Sequence, residues 1–318
     1  MQIQKSKIPI VVVAGPTASG KTALSVELAV RLGGEVVSAD SMQIYRDMQI
    51  GTARPTEDEM RGIKHHMLGF LPLGESFSVA QYVELAREKI AEITARGKLP
   101  IIAGGTGLYI SSLVNNICFS EEKQDENLRN ELYRRAESEG AEALLSELAE
   151  FDPESAARLH PNNIGRIVRA IEIYRLTGIT MTQQLINSRE QESPYDACML
   201  GITFKERSVL YGRIERRVDQ MIKQGLIDEA KRIFAMPCGK TALQAIGYKE
   251  LEPYINGECD LEFAVANLKQ QTRRYAKRQL TWFRRDERIK WLEADGYADF
   301  KDLADSAEQI VIKSGILK

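Results

Sequence analysis

The chain contains 318 residues, of which 43% are hydrophobic and 28% are charged, and its formal net charge at pH 7 is −2. This length suits one large domain together with a smaller one, and the composition is typical of a globular protein. The balanced charge excludes a strong overall attraction to nucleic acid, although local basic clusters are compatible with it. No apolar run approaches the length of a membrane span, so we expect no membrane partner.

The cysteines and the amino terminus give little sign of secretion. Cys118, Cys198, Cys238 and Cys259 lie far apart without a Cys-x-x-Cys pair, so we expect neither a disulfide framework nor a zinc site. The first residues lead directly into a predicted strand, so they are not expected to form a removable signal. These features fit a protein of the reducing cytoplasm.

The most informative stretch follows an apolar run, Ile10–Ala14, which predicts a buried parallel strand. It fits the phosphate-loop pattern G-x-x-x-x-G-K-[ST], and a helical pattern from Thr22 to Leu32 follows it. In such loops, backbone N–H groups converge on phosphate oxygens, a lysine adds positive charge, and a threonine offers its hydroxyl group to Mg²⁺. The predicted diphosphate-binding or nucleotide-binding residues are Gly15, Pro16, Thr17, Ala18, Ser19, Gly20, Lys21 and Thr22. The loop alone leaves the ligand open, with a nucleoside triphosphate as the default.

Two further predicted strands end near this loop. The strand at Glu35–Ala39 leads into Asp40, a candidate general base or a Mg²⁺ ligand through water, with simple capping as the alternative. The strand at Leu99–Ala103 ends in Gly104, Gly105 and Thr106. A standard phosphate-loop NTPase has a metal-binding aspartate at such a strand end, so the absence of an acidic residue weakens an ATPase or GTPase interpretation.

The middle of the chain has a helical texture. From about residue 119 to 177, Glu, Arg, Ala and Leu recur at helical spacing, with breaks at Gly140, Asp152 and His160 that indicate three or four helices. Strand character returns at Cys198–Phe204. We therefore predict an α/β fold, a P-loop NTPase-like parallel sheet flanked by helices, with an inserted all-helical domain at 119–196 and a catalytic core at 1–118 and 197–318.

Basic residues cluster in predicted helices. Arg213 and Arg217 share a helix face and could clamp a diphosphate, whereas pairing with Glu215 or Asp219 is the alternative. The segment 269–290 holds nine basic and two acidic residues, with aromatic residues interleaved. Such a mixture favours RNA binding, although exposed arginines and buried aromatics are the simpler explanation.

A second basic group comprises Arg166, Arg169 and Arg175 on the predicted helical insert. It could contact RNA, or it could be an ordinary solvated helix face. His65, His66 and His160 have no partners at metal-ligand spacing, so we expect them to be structural residues.

Seven segments, in order along the chain, together resemble the bacterial tRNA dimethylallyltransferases, also called tRNA isopentenyltransferases. The segments are 15–22, 38–45, 51–55, 65–66, 104–109, 163–170 and 272–279. Together they are far more specific than a phosphate loop alone, and the resemblance extends to about residue 291. Eukaryotic members carry a Cys/His zinc module, and nothing after Trp291 resembles it, so the chain is similar to the compact bacterial form.

The resemblance implies that the loop holds dimethylallyl diphosphate and that the five-carbon group passes to N6 of the adenine 3′-adjacent to the anticodon. Asp40 would be the general base, and Thr106 would meet the target nucleotide. Arg213 and Arg217 would stabilise the departing diphosphate. Thr22 would bind Mg²⁺, with Asp40 as a further candidate ligand through water.

The resemblance also implies a tRNA interface. The helical insert would grip the anticodon stem-loop, and the target base would leave its stack to enter a channel. The implied tRNA-binding residues are Asp40, Ser41, Met42, Gln43, Thr106, Arg129, Ile164, Gly165, Arg166, Ile167, Val168, Gln244, Ala245, Ile246, Gly247, Tyr248, Lys249, Arg274 and Arg278. We expect the protein to act as a monomer.

Other functions remain open from the sequence. An adenylate isopentenyltransferase would need the same loop and base, but a mononucleotide acceptor would need neither the helical insert nor the basic helix. A small-molecule or nucleotide kinase would release phosphate from ATP or GTP. A phosphate-loop RNA-binding regulator would bind RNA without turnover of an allyl donor.

Overall fold

The computed structural model describes residues 7–117, 125–189 and 192–317. The chain divides into two compact units: a core unit, Met1–Val114 with Pro194–Lys318, and a helical unit, Asn115–Ser193. The helical unit thus begins and ends a few residues earlier than the predicted insert, because residues 194–196 lead into a core strand. Cys118 and Phe119, the predicted boundary, lie outside the described residues.

In the part of the chain that the structure describes, six parallel strands form one sheet in the core unit, in the order β3-β2-β4-β1-β5-β6. The strands are β1 (Ile8–Ala14), β2 (Gly34–Ser38), β3 (His65–His66), β4 (Leu99–Gly104), β5 (Tyr195–Thr203) and β6 (Lys290–Glu293). The central strands are rich in apolar, β-branched residues because helices cover both faces of a parallel sheet and bury the side chains there. The predicted fold class is confirmed, although the two short edge strands, β3 and β6, were not predicted from the sequence.

Between residues 7 and 114, the structure has four α-helices. They are α1 (Lys21–Leu32), α2 (Glu57–Met60), α3 (Val79–Ala95) and α4 (Gly107–Val114). Gly33 ends α1 in the left-handed conformation at φ 65°, as expected from its position after the apolar stripe. Ser78 caps α3 in a reciprocal box with Gln81.

The helical unit contains five helices within its described residues: four lie before residue 178, in agreement with the predicted three or four, and the fifth lies beyond that stretch. They are α5 (Glu126–Ser138), α6 (Ala141–Phe151), α7 (Pro153–Arg158), α8 (Ile164–Thr177) and α9 (Met181–Arg189). Asp152 separates two of them, since its carboxylate accepts a hydrogen bond from Ser155 N at the start of α7. The unit has its own hydrophobic core, built around Leu132, Leu148 and Ile171.

Six α-helices follow β5 within the described residues. They are α10 (Arg207–Lys223), α11 (Leu226–Phe234), α12 (Lys240–Leu243), α13 (Glu252–Ile255), α14 (Leu261–Phe283) and α15 (Phe300–Lys313). Helix α15 packs on the sheet core through Leu303, Ala307 and Val311. In the described part of the chain, no helix is both long enough and apolar enough to cross a membrane.

Candidate active site

The phosphate loop connects β1 to α1 and presents backbone donors. Ala18 and Gly20 lie in the left-handed region, at φ 60° and φ 99°. Within the described residues, the N–H groups of Gly20, Lys21 and Thr22 donate to no acceptor. The buried hydroxyl group of Ser19 also has no partner there. Unpaired donors at a helix N-terminus form an anion-binding site, so these residues fit a phosphate ligand.

Two cations cover the carbonyl groups of the same loop. Lys21 Nζ donates to Pro16 O at 2.9 Å, and Arg213 Nε donates to Ala18 O at 2.8 Å. Burial, with a further contribution from Arg217, lowers the pKa of Lys21 to about 8, while Asp40 opposes the shift. The loop is therefore electropositive, and its lysine would gain from a bound anion.

Asp40 and Thr106 meet at the carboxyl edge of two neighbouring strands. Asp40 follows β2, and its Oδ1 accepts hydrogen bonds from Met42 N (2.9 Å) and Gln43 N (3.3 Å). Thr106 follows β4, and its Oγ1 accepts from Ser41 N at 3.0 Å. Asp40 Oδ2 makes no hydrogen bond within the described residues. Asp40 thus caps its own turn with one oxygen, and its other oxygen is available to a ligand.

A cavity of about 300 Å³ joins the loop, Asp40 and helices α10 and α14. The predicted site residues on its walls are Thr17, Ala18, Lys21, Asp40, Ser41, Met42, Arg217, Gln244, Ala245, Ile246, Gly247, Lys249 and Arg278. Burial lowers the pKa of the Arg217 guanidinium group, and Asp40 opposes that shift. A cavity with a buried cation, a carboxylate and an apolar wall suits a charged molecule with a hydrocarbon group.

The two arginines of α10 that were predicted to bind diphosphate, Arg213 and Arg217, do not pair with the acidic residues of their own helix. Glu215 binds Arg273 at 2.7 Å, and Asp219 binds Lys269 at 2.6 Å, so both acidic residues pair with α14. The alternative prediction, that these carboxylates pair with Arg213 and Arg217, is therefore wrong. Arg213 instead lies over the ring of Phe204, at 5.6 Å from its centroid.

A second, smaller cavity of about 40 Å³ lies beside the loop. Thr22, Asp40 and Ser38 line it. Mg²⁺ keeps several waters and binds through one or two carboxylates plus substrate phosphates, so these residues fit the predicted ion. Among the described residues, no group of three or more His, Cys, Asp or Glu side chains could hold a metal. A bound diphosphate would therefore have to supply part of the coordination.

Basic and aromatic side chains of α14 form an open groove with a volume of about 460 Å³, which we call the basic groove. Its walls are Arg274, Lys277, Arg278, Thr281, Trp282 and Arg285. Arg285 lies 6.0 Å from the centroid of the Trp282 ring, and Trp282 is 36% exposed. Phe283 is buried, so the simpler expectation of a core aromatic holds for that residue.

Some predicted RNA-facing residues are buried. Ile167 and Val168 are each 1% exposed, in the core of the helical unit, so their side chains are unavailable to a ligand. Their neighbours Gly165 and Arg166 are exposed, and Ile164 packs against that core. In the core unit, Tyr248 is fully buried. The burial of Ile167 follows from helical periodicity, since Ile167 and Ile171 lie one turn apart on the buried face of α8.

Tyr248 belongs to a structural network. Its hydroxyl group donates to Glu229 at 2.7 Å, and Glu229 also accepts hydrogen bonds from the backbone of Gln49, Ile50 and Gly51. Glu229 is 2% exposed. A buried carboxylate with four donors fixes the loop that borders the cavity.

Arginines in the helical unit are held by a buried acid. Arg129 Nε and Arg169 Nη1 both donate to Glu172, at 2.9 Å and 2.7 Å, and Glu172 is fully buried. Burial alone would raise the pKa of Glu172, but hydrogen bonds from Arg169, the backbone of Asp125 and Arg129 lower it. Arg175 binds Glu147 at 2.6 Å. These three arginines therefore take part in structural ion pairs of this unit.

Two of the three histidines, His65 and His66, are held by hydrogen bonds in the core unit. His66 Nε2 is hydrogen-bonded to Glu35 at 2.7 Å, and both side chains are buried. Although burial opposes the shift, His66, Arg96 and Lys98 lower the pKa of Glu35 to about 2. His65 Nδ1 is hydrogen-bonded to Ile63 O at 2.8 Å.

Sequence reasoning missed Gln279. Its Oε1 accepts a hydrogen bond from Thr17 N, and its Nε2 donates to Gly105 O, both at 2.9 Å. Thr17 and Gln279 are 262 positions apart in the chain. The only sequence signal was an uncharged polar residue in a strongly basic helix, within a motif that carries the family resemblance.

The fold and the site define a class: a phosphate-loop α/β protein that places a carboxylate and two arginines beside an anion-binding loop. A sequence model described as IPP transferase matches residues 43–286. The chain belongs to the IPP transferase family.

Individual relatives agree with this assignment. The chain is 46% identical over 302 residues to the tRNA dimethylallyltransferase of Caldanaerobacter subterraneus subsp. tengcongensis, which covers 94% of this chain and 96% of the relative. It is 48% identical over 294 residues to the enzyme of the same name from Bacillus subtilis, with 92% of each chain covered. The resemblance predicted from the sequence is confirmed.

Solved structures agree as well. The crystal structure of the full-length tRNA isopentenylpyrophosphate transferase from Bacillus halodurans is 45% identical, with 98% of this chain and 97% of that chain covered and a TM-score of 0.72. A eukaryotic dimethylallyltransferase, described as acting on tRNA, is 30% identical and has a TM-score of 0.79, with 96% of this chain and 78% of that chain covered.

Proposed function

We propose that this chain transfers the dimethylallyl group of dimethylallyl diphosphate to N6 of the adenine 3′-adjacent to the tRNA anticodon and releases diphosphate. One observation carries the proposal: the phosphate loop with Lys21, the carboxylate of Asp40 and the guanidinium group of Arg217 share one cavity of about 300 Å³. The names of the relatives support the tRNA enzyme over a kinase or an adenylate enzyme.

The reaction needs a base and a positioned nucleophile. The N6 amine attacks C1 of the allyl group, a C–N bond forms, and the C1–O bond breaks with its electron pair passing to the diphosphate. Asp40 accepts the proton that the amine loses, through Oδ2, which makes no hydrogen bond within the described residues. Thr106 holds the Asp40 turn through Ser41 and faces the target nucleotide.

The leaving group is stabilised by the loop. The N–H groups of Gly20, Lys21 and Thr22 donate to the diphosphate, while Lys21 and Arg217 supply positive charge and Arg213 fixes the loop through Ala18 O. These donors strengthen as the diphosphate gains charge, so they stabilise the transition state more than the bound substrate. Thr22 would hold Mg²⁺, with Asp40 reaching it through water, and the ion neutralises part of the diphosphate charge when bound.

The acceptor is recognised by its phosphates and by a base taken out of its stack. The basic groove of α14 offers four cations beside Trp282, a combination that suits RNA phosphates and unstacked bases. Gly165 and Arg166 of the helical unit and Gln244 and Lys249 of the cavity are the other contacts that we propose. We place the reaction in the cytoplasm, where tRNA and the donor meet, and we propose that the protein acts as a monomer.

The test is to incubate the protein with Mg²⁺ and labelled dimethylallyl diphosphate, together with unmodified tRNA or with AMP. We expect the label on tRNA and its loss in Asp40→Asn, which keeps the acceptor for Met42 N but removes the base. Label on AMP alone would indicate an adenylate enzyme. Phosphate release from ATP without allyl transfer would indicate a kinase, and RNA binding without any transfer would indicate a regulator.

A further inference from the structure

Gln279 uses both ends of its amide to join two parts of the site. It lies on α14, is 6% exposed, accepts from Thr17 N and donates to Gly105 O. The orientation of the amide follows from these partners, because a backbone N–H needs an oxygen and a carbonyl needs an N–H. One side chain thus connects the phosphate loop with the turn that carries Thr106.

Two glycines allow α14 to approach this turn closely. A Cβ atom on Gly105 would collide with the amide nitrogen of Gln279, and one on Gly107 would collide with the ring of Trp282. On the other side, a Cβ atom on Gly104 would collide with the backbone of Ala39. The turn is therefore held between the Asp40 strand end and α14, and these glycines serve helix packing rather than phosphate binding.

The same helix forms the basic groove on its outer side. Arg278 directly precedes Gln279 and lines both the basic groove and the cavity. Trp282 packs against Gly107 with part of its ring and is exposed in the groove with the rest. A polyanion in the groove therefore contacts the helix that holds the loop and the Thr106 turn together.

We propose that Gln279 is a positioning residue that locks the phosphate loop to the Thr106 turn, so that donor binding and acceptor alignment both depend on the placement of α14. This inference rests on the proposed function. Because Gln279 occupies Thr17 N–H, the shape of the loop is set by the helix before the diphosphate arrives. By linkage, RNA that steadies α14 raises the affinity for diphosphate, and diphosphate raises the affinity for RNA.

The test compares Gln279→Met, which keeps the size of the side chain but removes both hydrogen bonds, with Gln271→Met. Gln271 lies on the same helix and bonds only to Asn267 among the described residues, so it is the matched control. Calorimetry gives the affinity for inorganic diphosphate with Mg²⁺, with and without an unmodified anticodon stem-loop. Transfer kinetics give kcat and the KM of each substrate.

We expect Gln279→Met to weaken diphosphate binding about tenfold and to lower kcat by about tenfold or more, since small misplacements of reacting groups are costly. Stem-loop affinity without diphosphate should stay within about twofold, since the groove is intact. The gain in diphosphate affinity caused by RNA should disappear. In a double-mutant cycle with Thr106→Val, the two losses in kcat should combine to less than their product, because both act through Thr106.

Equal diphosphate binding by Gln279→Met and Gln271→Met would overturn the inference, as would multiplicative losses in the cycle. If the methionine variant does not fold, Gln279→Glu replaces it; this isostere keeps the acceptor for Thr17 N and sets an acceptor against Gly105 O, so kcat should again fall. Absence of transfer by the wild-type protein would refute the proposed function, while the diphosphate comparison would still decide the role of Gln279.

Discussion

Lys21 is expected to destabilise the folded protein while it serves the site, so Lys21→Met should raise stability and abolish diphosphate binding. Its pKa falls from 10.5 to about 8 on folding, mainly because burial disfavours its charge. A pKa shift of this size lowers the free energy of unfolding by about 3 kcal/mol at pH 7. The hydrogen bond to Pro16 O stabilises the folded protein by about 1 kcal/mol. Part of the side chain reaches the cavity, which reduces the cost of burying its charge. The free energy of unfolding of Lys21→Met should therefore rise by about 1–2 kcal/mol.

The pH dependence of the free energy of unfolding provides an independent test of the destabilising effect of Lys21. Between pH 8 and pH 10.5, the unfolded chain binds the lysine proton and the folded protein does not, so wild-type stability should rise with pH in this window. The advantage of Lys21→Met should therefore be full below pH 8 and should fade towards pH 10.5.

The assay is thermal and urea unfolding at pH 7 and pH 10 in the absence of diphosphate. We expect a rise in Tm of about 2–4 °C at pH 7 and a smaller rise at pH 10. Lys231→Met, at an exposed position of α11, is the control and should change stability by less than about 0.5 kcal/mol. A destabilised Lys21→Met variant, or an advantage that does not change with pH, would refute the reasoning.

Further predictions concern the loop, its neighbours and the groove. Above pH 8, diphosphate binding should take up about one proton at Lys21; calorimetry in buffers of different ionisation enthalpy measures this, and no buffer dependence would contradict it. Glu229→Gln should cost about 2–3 kcal/mol in urea unfolding because buried backbone donors lose their acceptor, whereas the exposed Glu262→Gln should be nearly neutral. The double variant Arg274→Ala/Lys277→Ala should weaken stem-loop binding and make its salt dependence shallower by about 1.5 in log–log slope; an unchanged slope would place the RNA elsewhere.

The sequence predicted those parts of the site that short, continuous stretches of chain form. The phosphate loop needs glycine and lysine at fixed spacing between a strand and a helix, and this pattern is visible in any single sequence. Asp40 and Thr106 were placed at strand ends, and the parallel pairing of β2 with β4 brings those ends together. The helical insert was visible because its period differs from that of the flanking strands.

Other parts depend on contacts between distant segments, which one sequence does not reveal. Nothing local indicates that Glu215 pairs with Arg273 or that Gln279 reaches Thr17. The short strands β3 and β6 lie at the sheet edges and are defined by pairing with β2 and β5 rather than by their own composition. The burial of Ile167 was foreseeable, since Ile171 lies one turn further on the same face.

The most direct test of the central claim is mass spectrometry of an unmodified anticodon stem-loop after incubation with the protein, Mg²⁺ and dimethylallyl diphosphate. We expect one added five-carbon unit on the adenine 3′-adjacent to the anticodon with wild-type protein. We expect almost none with Asp40→Asn, although that variant should still bind inorganic diphosphate. Modification at an undiminished rate by Asp40→Asn, or no modification of RNA by the wild type, would contradict the account.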